Sequence, residues 1–185
     1  MTLTVSWKNS CIPNICQKFS ISSFSNQLFA IRDIKAGEEI LYPYCDPLLP
    51  VNERRDKLAP YGFTCTCCAC STASPESDKF RQTCQENIAR YQRAYNLALE
   101  LGESKNDIRK KVLRPATELR DRMAEEGLEG FSEEFIGITV LLHKAYTSLG
   151  MEEEAKGLHG FLKVWALIDA VWRYLLVPSS ETTLR

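Results

Sequence analysis

Cys65, Cys67 and Cys70, in the run Tyr61-Gly-Phe-Thr-Cys-Thr-Cys-Cys-Ala-Cys70, have the spacing C-x-C-x-x-C. Gaps this short let thiolates of one loop converge on a single tetrahedral zinc ion. Three ligands leave a structural site one short, so the fourth must come from elsewhere in the chain. Cys11, Cys16, Cys45, Cys68 and Cys84 are the candidates. Cys68 is poorly placed, because neighbouring side chains in an extended loop point apart. Cys11 lies in the polar, proline-containing loop Asn9-Ser-Cys-Ile-Pro-Asn14 and is the strongest candidate. With no signal-peptide pattern at the start, eight cysteines are expected to be zinc ligands and buried thiols, not a secreted disulfide framework. Cys16, Cys45, Cys68 and Cys84 are then incidental or buried, with Cys84 on the apolar face of a helix.

Two further stretches carry a pattern. Asn9-Ser-Cys-Ile-Pro-Asn14 is one; Ala30-Ile-Arg-Asp-Ile-Lys-Ala-Gly-Glu-Glu-Ile40 followed by Tyr44-Cys-Asp46 is the other. Together with Tyr61–Cys70 they resemble, in order and spacing, the signatures of SET-domain protein lysine methyltransferases. The first is similar to the family's (N)HSCxPN motif and the second to its A-x-R-D-I-x-x-G-E-E-I…Y-x-D block. The third is similar to its post-SET cysteines in the SET-and-MYND branch. The resemblance covers residues 9 to 70. It departs at the cofactor loop, where the family's Asn-His pair reads Lys8-Asn9 and puts a cation near a sulfonium ligand. The family's glycine-rich cofactor motif does not precede Asn9, so a fragment, a truncated form or a degenerate copy is expected.

The resemblance implies methyl transfer from S-adenosyl-L-methionine to a neutral lysine amine of a protein substrate, histone or non-histone. An unperturbed lysine pKa of ~10.4 means that such a site must admit the deprotonated amine. It must also align nitrogen, methyl carbon and sulfur, a positioning task that a narrow aromatic channel performs. Tyr44 matches the catalytic tyrosine; from periodicity alone it reads as an ordinary half-buried strand residue. Asn9, Ser10, Tyr44 and Phe63 match cofactor-binding positions, and Tyr61 a wall of the lysine channel. Aromatic rings suit both tasks, being rigid and attractive to a sulfonium cation, although packing around a zinc knuckle would also place them here. Cys11, Cys65, Cys67 and Cys70 are assigned as a structural Zn2+ site, which would pin the two halves of the active site together.

The remaining sequence must position these groups. A net charge of −1 gives no electrostatic basis for binding nucleic acid or an anionic membrane. Lys163, Asp169 and Arg173 interrupt the apolar run 161–177, and a membrane span needs ~20 nearly uncharged residues. Intracellular placement, in nucleus or cytoplasm, is expected. Thr2-Leu-Thr-Val5 is strand-like, and Cys16–Ile31 reads as a hairpin turning at Ser25-Asn26. Glu39–Tyr44 reads as a short strand that Pro43 confines to an edge or an end. Asn52–Lys57 gives one or two helical turns ended by Pro60. Ser74 and Pro75 start a helix with Phe80, Cys84, Ile88, Tyr91, Tyr95 and Leu99 on one face, stopped at Gly102. A second helical region spans about 106–126, broken near Pro115. A third is capped by Ser132 with Phe135, Ile138, Leu142 and Tyr146 on one face, and a last run ends before Pro178. His143 and His159 read as helix residues without ligand partners.

The expected fold is α+β. A partial SET β-fold (1–50) leads into a zinc-binding post-SET segment (51–73) and an α-helical, tetratricopeptide-like bundle (74–178), with a disordered tail (179–185). The expected function is an S-adenosylmethionine-dependent protein-lysine N-methyltransferase in fragmentary form. The alternative is a non-catalytic, zinc-binding interaction module derived from a SET domain.

Overall fold

The computed structural model describes residues 8–20, 23–130 and 132–176. The strand-like run at 2–5 and the tail at 179–185 lie outside them. The architecture is α+β: two small sheets and a helical region, joined by a cysteine-rich loop.

Strand β1 (Lys8–Asn9) pairs in parallel with β4 (Leu41–Tyr42), Lys8 opposite Leu41 and Asn9 opposite Tyr42. The expected strand 39–44 is thus shortened at both ends. On one side the Asn14 side chain takes the ladder groups, accepting Leu41 N–H at 2.8 Å and donating to Glu39 O at 2.8 Å. On the other side, Pro43 has no N–H to continue. The loop between β1 and Asn14 closes over β4 through Ser10 N–H to Tyr42 O at 3.1 Å and Asn14 N–H to Leu41 O at 3.1 Å.

Strands β2 (Ile15–Ser20) and β3 (Ser25–Ala30) form the antiparallel hairpin, in register Cys16 to Phe29 and Ser20 to Ser25. Ser25 and Asn26 therefore belong to β3, and the turn includes Ser23 and Phe24 instead. Register follows the buried face. Cys16 packs on Trp165 with Phe29, Ile31 and Phe161, and this contact sets the pairing.

Helix α1 (Val51–Leu58) runs into a 3₁₀ turn, Ala59–Tyr61, so Pro60 sits inside a turn instead of ending the helix. A single helical turn, α2 (Cys68–Ser71), follows. Then comes α3 (Pro75–Glu100), with Ser74 Oγ accepting Ser77 N–H at 3.2 Å. Its buried face ends in Ala98; Leu99 is exposed, because 3.6 residues per turn carry the stripe from Tyr95 to Ala98.

The region 105–125 is not broken at Pro115. Helix α4 (Lys105–Ile108) passes through a π turn, Arg109–Leu113, into α5 (Arg114–Glu125). A proline ring collides with the carbonyl four residues earlier in an α-helix, and the wider π turn just before it removes that conflict. Helices α6 (Glu133–Leu149) and α7 (Glu152–Leu176) are joined across Gly150, with Phe135 and Phe161 edge-to-face at 5.6 Å between them.

The main core gathers Phe80, Cys84, Ile88 and Tyr95 of α3 with Met123, Phe135, Ile138 and Leu142. Burial pushes the Cys84 thiol up to about 12, as suits a core residue. The sheet region rests on this bundle at the α5–α6 connection, where Gly127 takes φ +70°. A Cβ there would lie 2.7 Å from Ile12 Cγ2, so the loop that carries Cys11 approaches bare backbone. Among the described residues no helix is long and apolar enough to cross a membrane.

Candidate metal centre and aromatic cleft

Cys11 and Cys70, 59 positions apart, bring their sulfurs to 3.6 Å. With Cys65 and Cys67 they form a group whose four sulfurs all lie within 4.8 Å of one another, and no disulfide links them. Tetrahedral zinc with Zn–S bonds of ~2.3 Å holds its sulfurs roughly 3.8 Å apart, so the donor set and its spacing fit this ion. The turn of α2 creates the geometry. Cys70 N–H and Ser71 N–H both donate to Cys67 O at 2.9 Å, and Ser71 Oγ donates to Thr66 O at 2.9 Å. Cys67 and Cys70 so share one side of a single turn, while exposed Cys68 points away.

The sulfurs influence one another. Cys67 is lowered to about 4, chiefly because the Cys11 thiol donates to it. Cys11, as that donor and as a buried group, is raised. Burial, followed by the Cys67 sulfur, holds Cys65 up to about 11. Crowding thus favours the thiolate at Cys67 and opposes it at Cys11 and Cys65. A divalent cation relieves such an arrangement by binding all four as thiolates.

Three rings stand beside the cluster. Tyr44 is 5.2 Å from Tyr61 and 6.2 Å from Phe63, centroid to centroid, and Tyr61 lies 6.4 Å from Phe63. Gly62, at φ +72°, reverses the chain between the last two, a conformation that L side chains resist. Tyr61 and Phe63 form a rim, 59% and 39% exposed. Tyr44 is held from behind: its N–H donates to Asn9 Oδ1 at 3.0 Å. Asn9 Nδ2 is buried with no partner among the described residues.

A cleft of about 750 Å³ runs between these groups, lined by Asn9, Ser10, Tyr44, Phe63, Lys8 and the cysteine loop. Ser10 Oγ closes a local turn with Ile12 N–H at 3.0 Å. The structure thus brings Asn9, Ser10, Tyr44 and Phe63 around one space, sets Tyr61 against Tyr44, and places Cys65 and Cys67 of the cysteine cluster in its lining. The cation expected near the cofactor has a partner: Lys8 Nζ forms an exposed ion pair with Glu39, two residues before β4.

Sequence reasoning missed Arg54 and Asn14, each 0% exposed. Arg54 sits in a charged run that reads as a solvated helix. Its burial is foreshadowed only by a helical spacing of four to Leu58. It donates to Leu49 O at 2.5 Å and Ala69 O at 3.1 Å, and approaches Cys70 Sγ at 3.8 Å. Asn14 was legible as a motif residue, but its three side-chain hydrogen bonds were not.

Comparison with known proteins identifies the family. Residues 5–45 match the SET domain family. N-lysine methyltransferase SMYD2-A of Xenopus laevis is 30% identical over 155 residues, 77% of this chain and 33% of that protein. N-lysine methyltransferase SMYD2 of Homo sapiens is 35% identical over 72 residues, 38% of the chain and 16% of that protein. Histone-lysine N-methyltransferase SET5 of Meyerozyma guilliermondii is 40% identical over 71 residues, 37% of the chain and 15% of that protein. The chain spans about a third of the length of SMYD2-A and less of the other two. Shared motifs, the matched domain and the cysteine cluster together make this a SET-and-MYND-like chain.

Proposed function

We propose that this chain contributes the Tyr44 side of the active site of an S-adenosylmethionine-dependent protein-lysine N-methyltransferase. In this reading residues 1–50 are SET domain, 51–73 the zinc-binding post-SET segment and 74–178 a helical domain. Its support is one arrangement: a tyrosine fixed through its own backbone, ringed by two aromatics, at the edge of a cleft walled by Asn9 and Ser10.

S-adenosylmethionine supplies the methyl group for in-line displacement by a deprotonated lysine amine. The chain's residues do the positioning. Tyr44 orients the amine, and Tyr61 and Phe63 exclude water from it and narrow its approach. Asn9 Nδ2 is a buried donor with no competing partner among the described residues, available to the cofactor. Phe63 offers a ring face to the sulfonium. Cys11, Cys65, Cys67 and Cys70 hold zinc, which ties the Asn9–Ser10 wall to the Phe63 wall. The Lys8–Glu39 pair spares the sulfonium an unpaired cation.

Titration of the purified chain with S-adenosylmethionine, followed by transfer of labelled methyl to histones and whole-lysate protein, tests this. Cofactor binding with transfer, reduced ~10²-fold or more in Tyr44→Phe, is the expected result. Zinc retention with neither binding nor transfer would instead assign the chain to a non-catalytic interaction module.

A further inference from the structure

Arg54 is an unusual group to find at 0% exposure. A guanidinium taken out of water is costly unless anions face it and its N–H groups are used. Among the described residues no carboxylate lies within 4.0 Å of it. Asp78, a more distant anion, is occupied in accepting Val51 N–H at 2.9 Å. Beside backbone carbonyls, the group that Arg54 reaches is a sulfur of the cluster. Its Nη2 lies 3.8 Å from Cys70 Sγ and donates at 3.1 Å to the carbonyl of Ala69, the residue before that ligand. Its Nη1 contacts Leu49 O at 2.5 Å and Pro47 O at 3.4 Å, which fixes the fork from the opposite side.

Four thiolates around a dication keep a net negative charge, and the sulfurs remain hydrogen-bond acceptors. Groups just outside a metal's ligands set ligand orientation and metal affinity. We propose that Arg54 is a positioning residue of the metal centre, its buried guanidinium offsetting the cluster's negative charge and orienting Cys70 toward the ion. This rests on Cys11, Cys65, Cys67 and Cys70 being a zinc site. The arrangement includes its own control. Arg81 is also buried, at 2% exposure, and donates to the same Pro47 carbonyl, at 2.6 Å. Its other hydrogen bonds are to Glu126 O and Glu126 Oε2, both at 2.9 Å, and among the described residues it makes none to a sulfur of the cluster.

The test compares wild type, Arg54→Gln, Arg54→Lys and Arg81→Gln, each zinc-loaded and then competed with a chromogenic chelator. The same four proteins are loaded with Co2+ to read the thiolate-to-cobalt charge-transfer band. Arg54→Gln is expected to bind zinc ~10–100-fold more weakly, the range for lost outer-shell partners, with a shifted cobalt band. Arg54→Lys recovers part of the affinity, since it keeps the charge without the planar fork. Arg81→Gln lowers Tm but leaves zinc affinity and the cobalt band as in wild type. Wild-type affinity and spectrum in both Arg54 variants overturn the proposal, as does a loss in Arg81→Gln equal to that in Arg54→Gln. If Arg54→Gln does not fold, Arg54→Lys decides by the same two readouts. A wild-type chain that holds no zinc removes the metal site itself and this role with it, an outcome distinct from zinc-replete variants indifferent to residue 54.

Discussion

Asn14 and Glu38 show how single side chains frame the cleft. Asn14 joins the loop of Cys11 to β4, accepting one backbone N–H and donating to one carbonyl and to Glu38 Oε1 at 3.2 Å. Asn14→Ala would leave Leu41 N–H and Glu39 O without this partner. A loss of about 1–3 kcal/mol is expected, read from the denaturant midpoint at unchanged m-value. Glu38 is held down at about 2 from its ordinary 4.5, first by Arg32, then by the Lys35 N–H and Asn14. A depressed carboxylate adds stability that is complete above pH 4.5 and disappears as pH falls through 2. Glu38→Gln should therefore flatten the acid limb of the stability profile between pH 4.5 and 2 and leave the neutral limb's slope unchanged. At this scale the convergence of the four cysteines and of the three rings was legible, because chemistry constrains residue type and spacing. Arg54 and Arg81 were not, because a charged residue within a charged run announces exposure, and only the folded carbonyls around it supply the reason for burial.

Element boundaries were legible where a cap or turn has local chemistry, as at Ser74 and Gly150, and obscure where tertiary contact decides. The hairpin turn is displaced because Cys16 must meet Trp165, and nothing within 16–31 encodes a partner on α7. The π turn before Pro115 answers a steric conflict that the sequence states, though not the form of its relief. Gly127 shows a similar dependence on a distant element. Gly127→Ala combines a positive φ with a 2.7 Å approach to Ile12, and should cost about 1–3 kcal/mol. The cost should be smaller in an Ile12→Ala background, where the thermal-unfolding double-mutant cycle would show coupling between α5–α6 and the Cys11 loop. Additive losses would mean that the two segments do not press on each other.

At the scale of the molecule, two cores meet: the helical bundle and the smaller cluster of Cys11, Leu58, Cys65, Ala69 and Cys70. They depend on different forces, one on apolar area and the other, in the proposed reading, on metal ligation. Chelating the metal should deprotect amides of residues 8–14 and 61–71 in hydrogen exchange while those of α3 and α6 stay protected. Uniform deprotection would mean that the small core has no separate stability. The general layout, sheets first and helices after, was readable from periodicity. The seam between them was not, because it consists of backbone approaches at Gly127 and buried arginines that carry no periodic signal.

The sulfur at Cys11 leaves the ribosome 59 residues before the last of its three companions. Throughout that interval of synthesis, the segment around Ile12 and Ile15 has no finished surface to dock on. In the proposed reading Cys65, Cys67 and Cys70 emerge close together, so the ion would be captured by these three first. Cys11 would then close the coordination sphere, drawing the earlier segment back onto chain made long after it. Zinc supply during translation, more than after it, would then govern how much of this chain escapes aggregation.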